Sequence, residues 1–185
     1  MRYSIVTLLA AALPLGAQQI TFPPALEKLS AKATQKVNIS LDTSLLGFAG
    51  QLMSEKDPDE AIAKRLLSGL KAIHIRGFEF AKAGEYSQAD VAAIREQFKG
   101  PGWNCFFTVE GKEQSTHICL HRQGDAITGL GLLAAEPTEL TVVNIIGSIR
   151  PEDLATLSGK FGIPQIKGEV KTLLERKAAP APKKE

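Results

Sequence analysis

Along the chain, segments whose hydrophobic residues recur with the period of a helix are interspersed with segments whose hydrophobic residues have the period of a strand. Apolar residues at helical spacing, behind a proline or a capping residue, predict helices. Strict alternation, or a continuous apolar run between turn residues, predicts strands. The predicted helices cover residues 25–35, 43–54, 58–70, 88–98 and 151–159. The predicted strands cover residues 36–41, 72–80, 103–109, 115–121, 126–134 and 140–148.

The order of these elements predicts the fold class. The strand–helix–strand unit at 72–109 is compatible with a parallel crossover, which is right-handed by rule. The four strands from 103 to 148 are joined by short connections with turn residues, as in an antiparallel meander. We therefore expect an α+β fold, with helices packed on a mixed, mostly antiparallel sheet.

The N-terminus has the pattern of a secretory signal peptide. Arg2 is followed by an apolar run at 5–16 and by the small residue Ala17, so we expect residues 1–17 to be cleaved off. An uncleaved anchor is the alternative, but the run is shorter than the roughly 20 residues that span a bilayer. We expect a single α+β domain at 18–168, and a frayed helix and disordered basic tail at 169–185.

Composition limits the classes of partner. The chain of 185 residues is 44% hydrophobic and 23% charged, which suits a soluble domain with a sizeable core. Its formal net charge is only +2, whereas nucleic-acid binding requires clustered positive charge. No segment after the leader is long and apolar enough to predict a stable membrane span. We therefore expect that the protein does not bind nucleic acid and does not span a membrane stably.

Several short segments together resemble a known bacterial family, the domain-of-unknown-function family 4252. The resemblance covers about residues 24–164, and its most specific part is the segment Leu140-Thr141-Val142-Val143-Asn144-Ile145. The other segments are Asn38-Ile39-Ser40-Leu41-Asp42, Leu45-Leu46, Ile75-Arg76-Gly77-Phe78-Glu79-Phe80, Tyr86-Ser87, Pro101-Gly102-Trp103, Ile127-Thr128-Gly129-Leu130 and Phe161-Gly162-Ile163-Pro164. The family consists of exported proteins without an assigned activity. The resemblance therefore implies location and domain extent, and it transfers no catalytic residue.

The two cysteines of the chain lie in consecutive predicted strands. A hairpin centred on residue 112, within a turn that contains Gly111, places Cys105 directly opposite Cys119. Side chains that face each other in this way are about 4.5–5.5 Å apart at Cβ, near disulfide reach. Export would place the pair where disulfides persist. We predict a disulfide between Cys105 and Cys119, and the alternative is two buried free thiols.

The same hairpin brings two histidines to the face that holds the cysteines. The register places Trp103 opposite His121 and Phe107 opposite His117. Two cysteines and two histidines are the ligands of many zinc sites, but His117 and His121 are about 13 Å apart along a strand. We therefore expect no metal site here.

The last predicted hairpin is apolar on both faces, so we expect either that helices cover both faces or that one face meets a partner. Pairing about Pro137 and Thr138 places Gly131 opposite Asn144, a small residue beside a polar one. Gly131 and Asn144 are thus a possible pocket floor. The alternative, which we favour, is that the asparagine bonds to the backbone of a loop.

No nucleophile, phosphate-binding or metalloprotease motif occurs in the chain. The sequence predicts no catalytic residue, cofactor or metal. We expect an exported envelope protein, periplasmic or extracellular, that acts as a non-catalytic binding module for an unidentified envelope protein or a small ligand. The alternative is a small periplasmic enzyme whose active site has no recognisable motif.

Overall fold

The computed structural model describes residues 19–150, and the predicted leader, the last helix and the tail lie outside these residues. The helices are α1 (Pro24–Leu29), α2 (Thr43–Gln51), α3 (Pro58–Gly69) and α4 (Gln88–Gln97). The strands are β1 (Gln35–Asp42), β2 (Leu70–Glu79), β3 (Trp103–Glu110), β4 (Ser115–Gln123), β5 (Ala126–Glu136) and β6 (Glu139–Ile149). Every strand predicted from the sequence is present, with bounds shifted by two residues at most.

Side chains at the starts of the helices explain where they begin. The carboxylate of Asp42 accepts a hydrogen bond from the backbone N–H of Leu45 at the start of α2. Asp57 accepts from two backbone N–H groups in the first turn of α3, which begins with a proline. At α4, Asp90 accepts from the backbone N–H of Ser87 and completes a capping box. Each contact satisfies N–H groups that a helix start leaves without partners.

The six strands form one sheet in the order β1-β2-β6-β5-β4-β3, and all five neighbouring pairs are antiparallel. The α+β class is therefore confirmed, but the sheet is antiparallel throughout the described residues rather than mixed. β2 and β3 run in the same direction without pairing, because β6, β5 and β4 lie between them. The connection through α4 thus spans the sheet and leaves β1 and β3 at its two edges.

Helices cover both faces of the sheet. On the face of α2 and α3, Leu46 and Leu66 pack against sheet residues such as Val143 and Ile145. On the face of α1 and α4, Leu26 and Ile94 pack in a second core with Val142 and Leu133. This layering accounts for the doubly apolar β5–β6 hairpin, because both of its faces lie against helices.

The edge strand β3 contains a β-bulge. Cys105 pairs with Cys119, but the next pair along is Phe107 with Ile118, so Phe106 is the extra residue. The predicted pairing of Phe107 with His117 is therefore wrong, and Thr108 takes that place. A single inserted residue shifts the register and reverses the faces of the residues beyond it.

Across residues 19–150, the helices are too short or too polar to cross a membrane.

Candidate interaction site

Exposed hydrophobic side chains are concentrated on two consecutive elements. Five of the six large apolar side chains that are exposed in the described chain lie between residues 37 and 52. They are Val37 and Ile39 on β1, Leu45 and Phe48 on α2, and Leu52 directly after α2. Scattered exposed apolar residues are normal, whereas a cluster of this kind marks an interaction surface. We call β1, α2 and Leu52 together the open edge.

The exposed large apolar residues of α2 and of its C-cap, Leu52, form one stripe. Leu45, Phe48 and Leu52 are three and four positions apart and are 49%, 59% and 72% exposed. The other side of the helix, with Leu46, is buried against the sheet. The segment 43–54 contains no charged residue, although the outer face of a solvated helix normally carries charge. The stripe therefore has the composition of a contact face.

β1 presents a regular backbone edge. It pairs with β2 over eight consecutive residues without a bulge, and seven of its eight side chains are exposed. Its sequence contains no proline and one lysine, Lys36. Edge strands are usually protected by bulges, prolines or several charges. β1 has little of this protection, whereas β3 at the opposite edge has the bulge at Phe106.

The side chain of Arg76 shows which residues of β1 point their backbone N–H and C=O groups away from β2. Nη1 of Arg76 lies 3.4 Å from the carbonyl oxygen of Ile39 and 3.2 Å from that of Ile75. Since one nitrogen reaches both oxygens, both carbonyls face the gap between β1 and β2. Residues alternate in this respect along an antiparallel strand. The N–H and C=O groups of Lys36, Asn38 and Ser40 therefore face outward.

A groove of about 400 Å³ borders β1 on the face of α1. Its apolar part includes Phe22 and Phe78, and the guanidinium of Arg76 lies 4.9 Å from the ring centre of Phe22. Lys36 and Asn38 line it from β1. The volume is within the range of small ligand sites. A segment bound along β1 could place alternate side chains into this groove.

Ser40 and His74 form a hydrogen bond on neighbouring strands, with Ser40 Oγ 2.9 Å from Nδ1 of His74. This geometry resembles a nucleophile beside a general base. Partial burial lowers the pKa of His74, and the nearby charge of Arg76 lowers it further. A general base must become positively charged during the reaction, and an arginine opposes that charge. The pair is therefore better suited to holding β1 against β2 than to catalysis.

The two cysteines are joined. Cys105 and Cys119 form a disulfide between paired positions of β3 and β4, with their Cα atoms 3.8 Å apart. Cys119 is fully buried in the core on the face of α1 and α4. The bond fastens the edge strand β3 to the sheet at the position directly before the bulge.

Gly131 and Asn144 are opposite each other, as the sequence pattern predicts. The space above Gly131 is filled by the side chains of Phe98 and Ile20. Asn144 is fully buried, and its Oδ1 accepts a hydrogen bond of 3.0 Å from the backbone N–H of Ile20. The segment before α1 therefore fills the space over Gly131 and Asn144, and Asn144 bonds to the backbone of that segment.

The histidines of β4 make contacts within the protein. Nδ1 of His121 lies 2.8 Å from Thr128 Oγ1, and its ring packs edge-on against Trp103. His117 lies against Phe98, with Nε2 3.7 Å from a carboxylate oxygen of Glu110. Burial lowers the pKa of both histidines. No group of three or more His, Cys, Asp or Glu side chains within residues 19–150 could hold a metal ion.

Within residues 19–150, fold and surface together define an α+β domain with an antiparallel sheet that helices cover on both faces and that is open along the β1 edge. The chain belongs to the family DUF4252, a domain of unknown function, whose match spans residues 31–157. The family resemblance seen in the sequence is thereby confirmed. Neither the curated proteins nor the solved structures contain a match to this chain.

The open edge was not singled out by sequence reasoning. A signal for it exists in the chain, namely the uncharged segment 43–54 that directly follows a strand with a single lysine. The position of β1 at the edge was the missing information, because it depends on which strands pair. Periodicity indicates the strands but not their order.

Proposed function

We propose that the protein is an exported, non-catalytic binding module that binds an extended polypeptide segment along β1. The single observation that carries this proposal is the combination of outward backbone groups with exposed apolar side chains on the open edge. Strand addition uses both, because main-chain hydrogen bonds supply affinity and alternate side chains supply specificity. Val37 and Ile39 would contact the added segment on one face of the sheet, and Lys36 and Asn38 on the other.

Two features support export. The first is the leader pattern at residues 1–17. The second is the disulfide between the only two cysteines of the chain, because disulfides persist in oxidising compartments. Export is tested by intact-mass analysis of the protein recovered from its native host. We expect a chain that begins at Gln18, and a product that retains residues 1–17 would contradict the proposal.

A non-catalytic role is favoured by the surroundings of the Ser40–His74 pair. Arg76 counteracts the charge that His74 would acquire as a general base. If the pair were catalytic, a serine-directed covalent probe would label Ser40 in the folded protein. We expect no labelling of Ser40, and stoichiometric labelling would instead favour the small-enzyme alternative.

Strand binding is tested by the native size of the protein in detergent-free extracts of its host envelope. We expect wild-type protein to migrate as a complex, and an Ile39→Lys variant to migrate as a monomer. The added lysine places a charge in the contact, and Ile39 belongs to neither hydrophobic core. Phe106→Lys is the matched control, since it adds the same charge to an exposed residue of the opposite edge.

Thermal unfolding of both variants shows whether either substitution harms the fold. Wild-type protein that migrates as a monomer, or an Ile39→Lys variant that keeps the wild-type size, would contradict binding along β1.

A further inference from the structure

We propose that the segment bound along β1 is β1 of a second copy of this chain, so that two sheets join edge to edge across a two-fold axis. This inference rests on the proposed function, because it names the partner of the same edge. In such a dimer each copy presents the same surface to the other. The sequence of β1 must therefore complement itself when it is read in the opposite direction.

The outward backbone groups restrict the possible registers. They belong to the even-numbered residues of β1, because the carbonyls of Ile39 and Ile75 face the gap between β1 and β2. In an antiparallel pair, hydrogen-bonded positions face hydrogen-bonded positions. Even residues of one copy must therefore face even residues of the other. One register that satisfies this condition is centred on Ile39 and places it opposite the partner's Ile39.

In this register β1 complements itself in charge and polarity. Lys36 lies opposite the partner's Asp42, so the single positive and single negative charge of the strand form a pair in each half of the interface. Asp42 Oδ1 accepts from the N–H of Leu45, and a carboxylate has a second oxygen that can accept from the lysine. Opposite charges on facing positions stabilise a strand pair, whereas like charges destabilise it.

The remaining positions also match. Val37 lies opposite the partner's Leu41, and Asn38 lies opposite the partner's Ser40. Side chains of residues 37, 39 and 41 lie on the face of α2 and α3, because Ile39 pairs with Ile75 of that core. Apolar residues thus meet apolar residues on one face and polar residues meet polar residues on the other. This pattern would bury the two most exposed apolar side chains of β1, Val37 and Ile39.

A two-fold axis normal to the sheet keeps both α2 helices on one face. The exposed stripe of Leu45, Phe48 and Leu52 in each copy is then on the same side of the joined sheet as that of the other copy. The stripe follows β1 directly in the chain. The dimer would therefore bring all five exposed apolar residues of each open edge to one side of the joined sheet.

Engineered cysteines test both the dimer and its register. Residues 39 of the two copies form a pair whose own backbone groups point away from the interface, and facing side chains in such pairs are close. In processed full-length protein, we expect Ile39→Cys to form an intermolecular disulfide that is visible on non-reducing electrophoresis and lost on reduction. Val37→Cys is the matched control, because residues 37 of the two copies would be about 13 Å apart.

Light scattering on wild-type protein supplies the second readout, and we expect twice the mass of one chain. A monomeric wild-type protein, or crosslinking that is equal in the two cysteine variants or absent from both, would overturn the inference. Binding along β1 would then still be decided by the native size of Ile39→Lys in host extracts, so the two proposals can fail separately.

Discussion

Asn144 and Gly131 show how a single polar residue is accommodated in the core. The amide oxygen of Asn144 accepts from the backbone N–H of Ile20, which satisfies that backbone group where water has no access. The absent side chain of Gly131 provides the space that Phe98 and Ile20 fill. The sequence pattern predicted this pair of facing residues, but not its filling, because Ile20 and Phe98 are distant from the hairpin along the chain.

A Gly131→Ala variant is expected to lower the free energy of unfolding by about 1–3 kcal/mol. Its methyl group would lie 2.9 Å from Cδ1 of Ile20 and would also clash with the ring of Phe98. Denaturant unfolding measures the loss. Gly47→Ala is the matched control, because its added methyl group has no neighbour within 4 Å and alanine favours a helix. Equal effects of the two substitutions would contradict this account of the packing.

The histidines predict how stability depends on pH. Burial lowers the pKa of His74, His117 and His121 in the folded state. The unfolded chain therefore binds protons more strongly, and stability is lost as pH falls below the ordinary histidine pKa of about 6.5 toward the folded values. We expect a lower free energy of unfolding at pH 5 than at pH 7.5. His121→Gln should reduce this difference, and an unchanged difference would contradict the assignment to His121.

At the scale of elements, a disulfide contributes to the stability of the β3–β4 hairpin. The disulfide spans 14 positions, and closing such a loop stabilises a fold by about 3 kcal/mol on the chain-entropy estimate. We expect the Cys105→Ala, Cys119→Ala double variant to unfold at lower denaturant concentration but to remain folded in buffer, because both helix-covered cores persist. Two reactive thiols in denatured, non-reduced wild-type protein would contradict the bond.

The elements were predictable where local chemistry determines them. Asp57, the proline after it and Ser87 mark helix starts that the structure contains. The bulge at Phe106 was not predictable, because Phe106 and Phe107 have the same side chain and either could face the core. In the structure it is Phe107 that packs against the core on the face of α2 and α3, and this tertiary contact determines which phenylalanine is the extra residue.

At the scale of the whole molecule, the sequence predicted the class but not the order of the strands. The segment from β2 to β3 reads as a crossover between neighbours, yet β6 takes the place beside β2. β6 has apolar residues on both faces and is buried on both, which suits a central strand. That preference places β1 at an edge, and the candidate site follows from this placement rather than from any local motif.

The bulge at Phe106 has a consequence for the size of any assembly built by joining sheets. If both edges could accept a strand, β1 of one copy could add to β3 of the next, and the chains would polymerise into an open-ended fibre. The extra residue bends β3 and disfavours further pairing at its edge, whereas β1 has no bulge. Pairing of β1 with β1 consumes the β1 edge in both copies. In the proposed dimer, assembly would therefore stop at two copies, and we expect a higher protein concentration to increase the fraction of dimer without producing larger particles in sedimentation velocity.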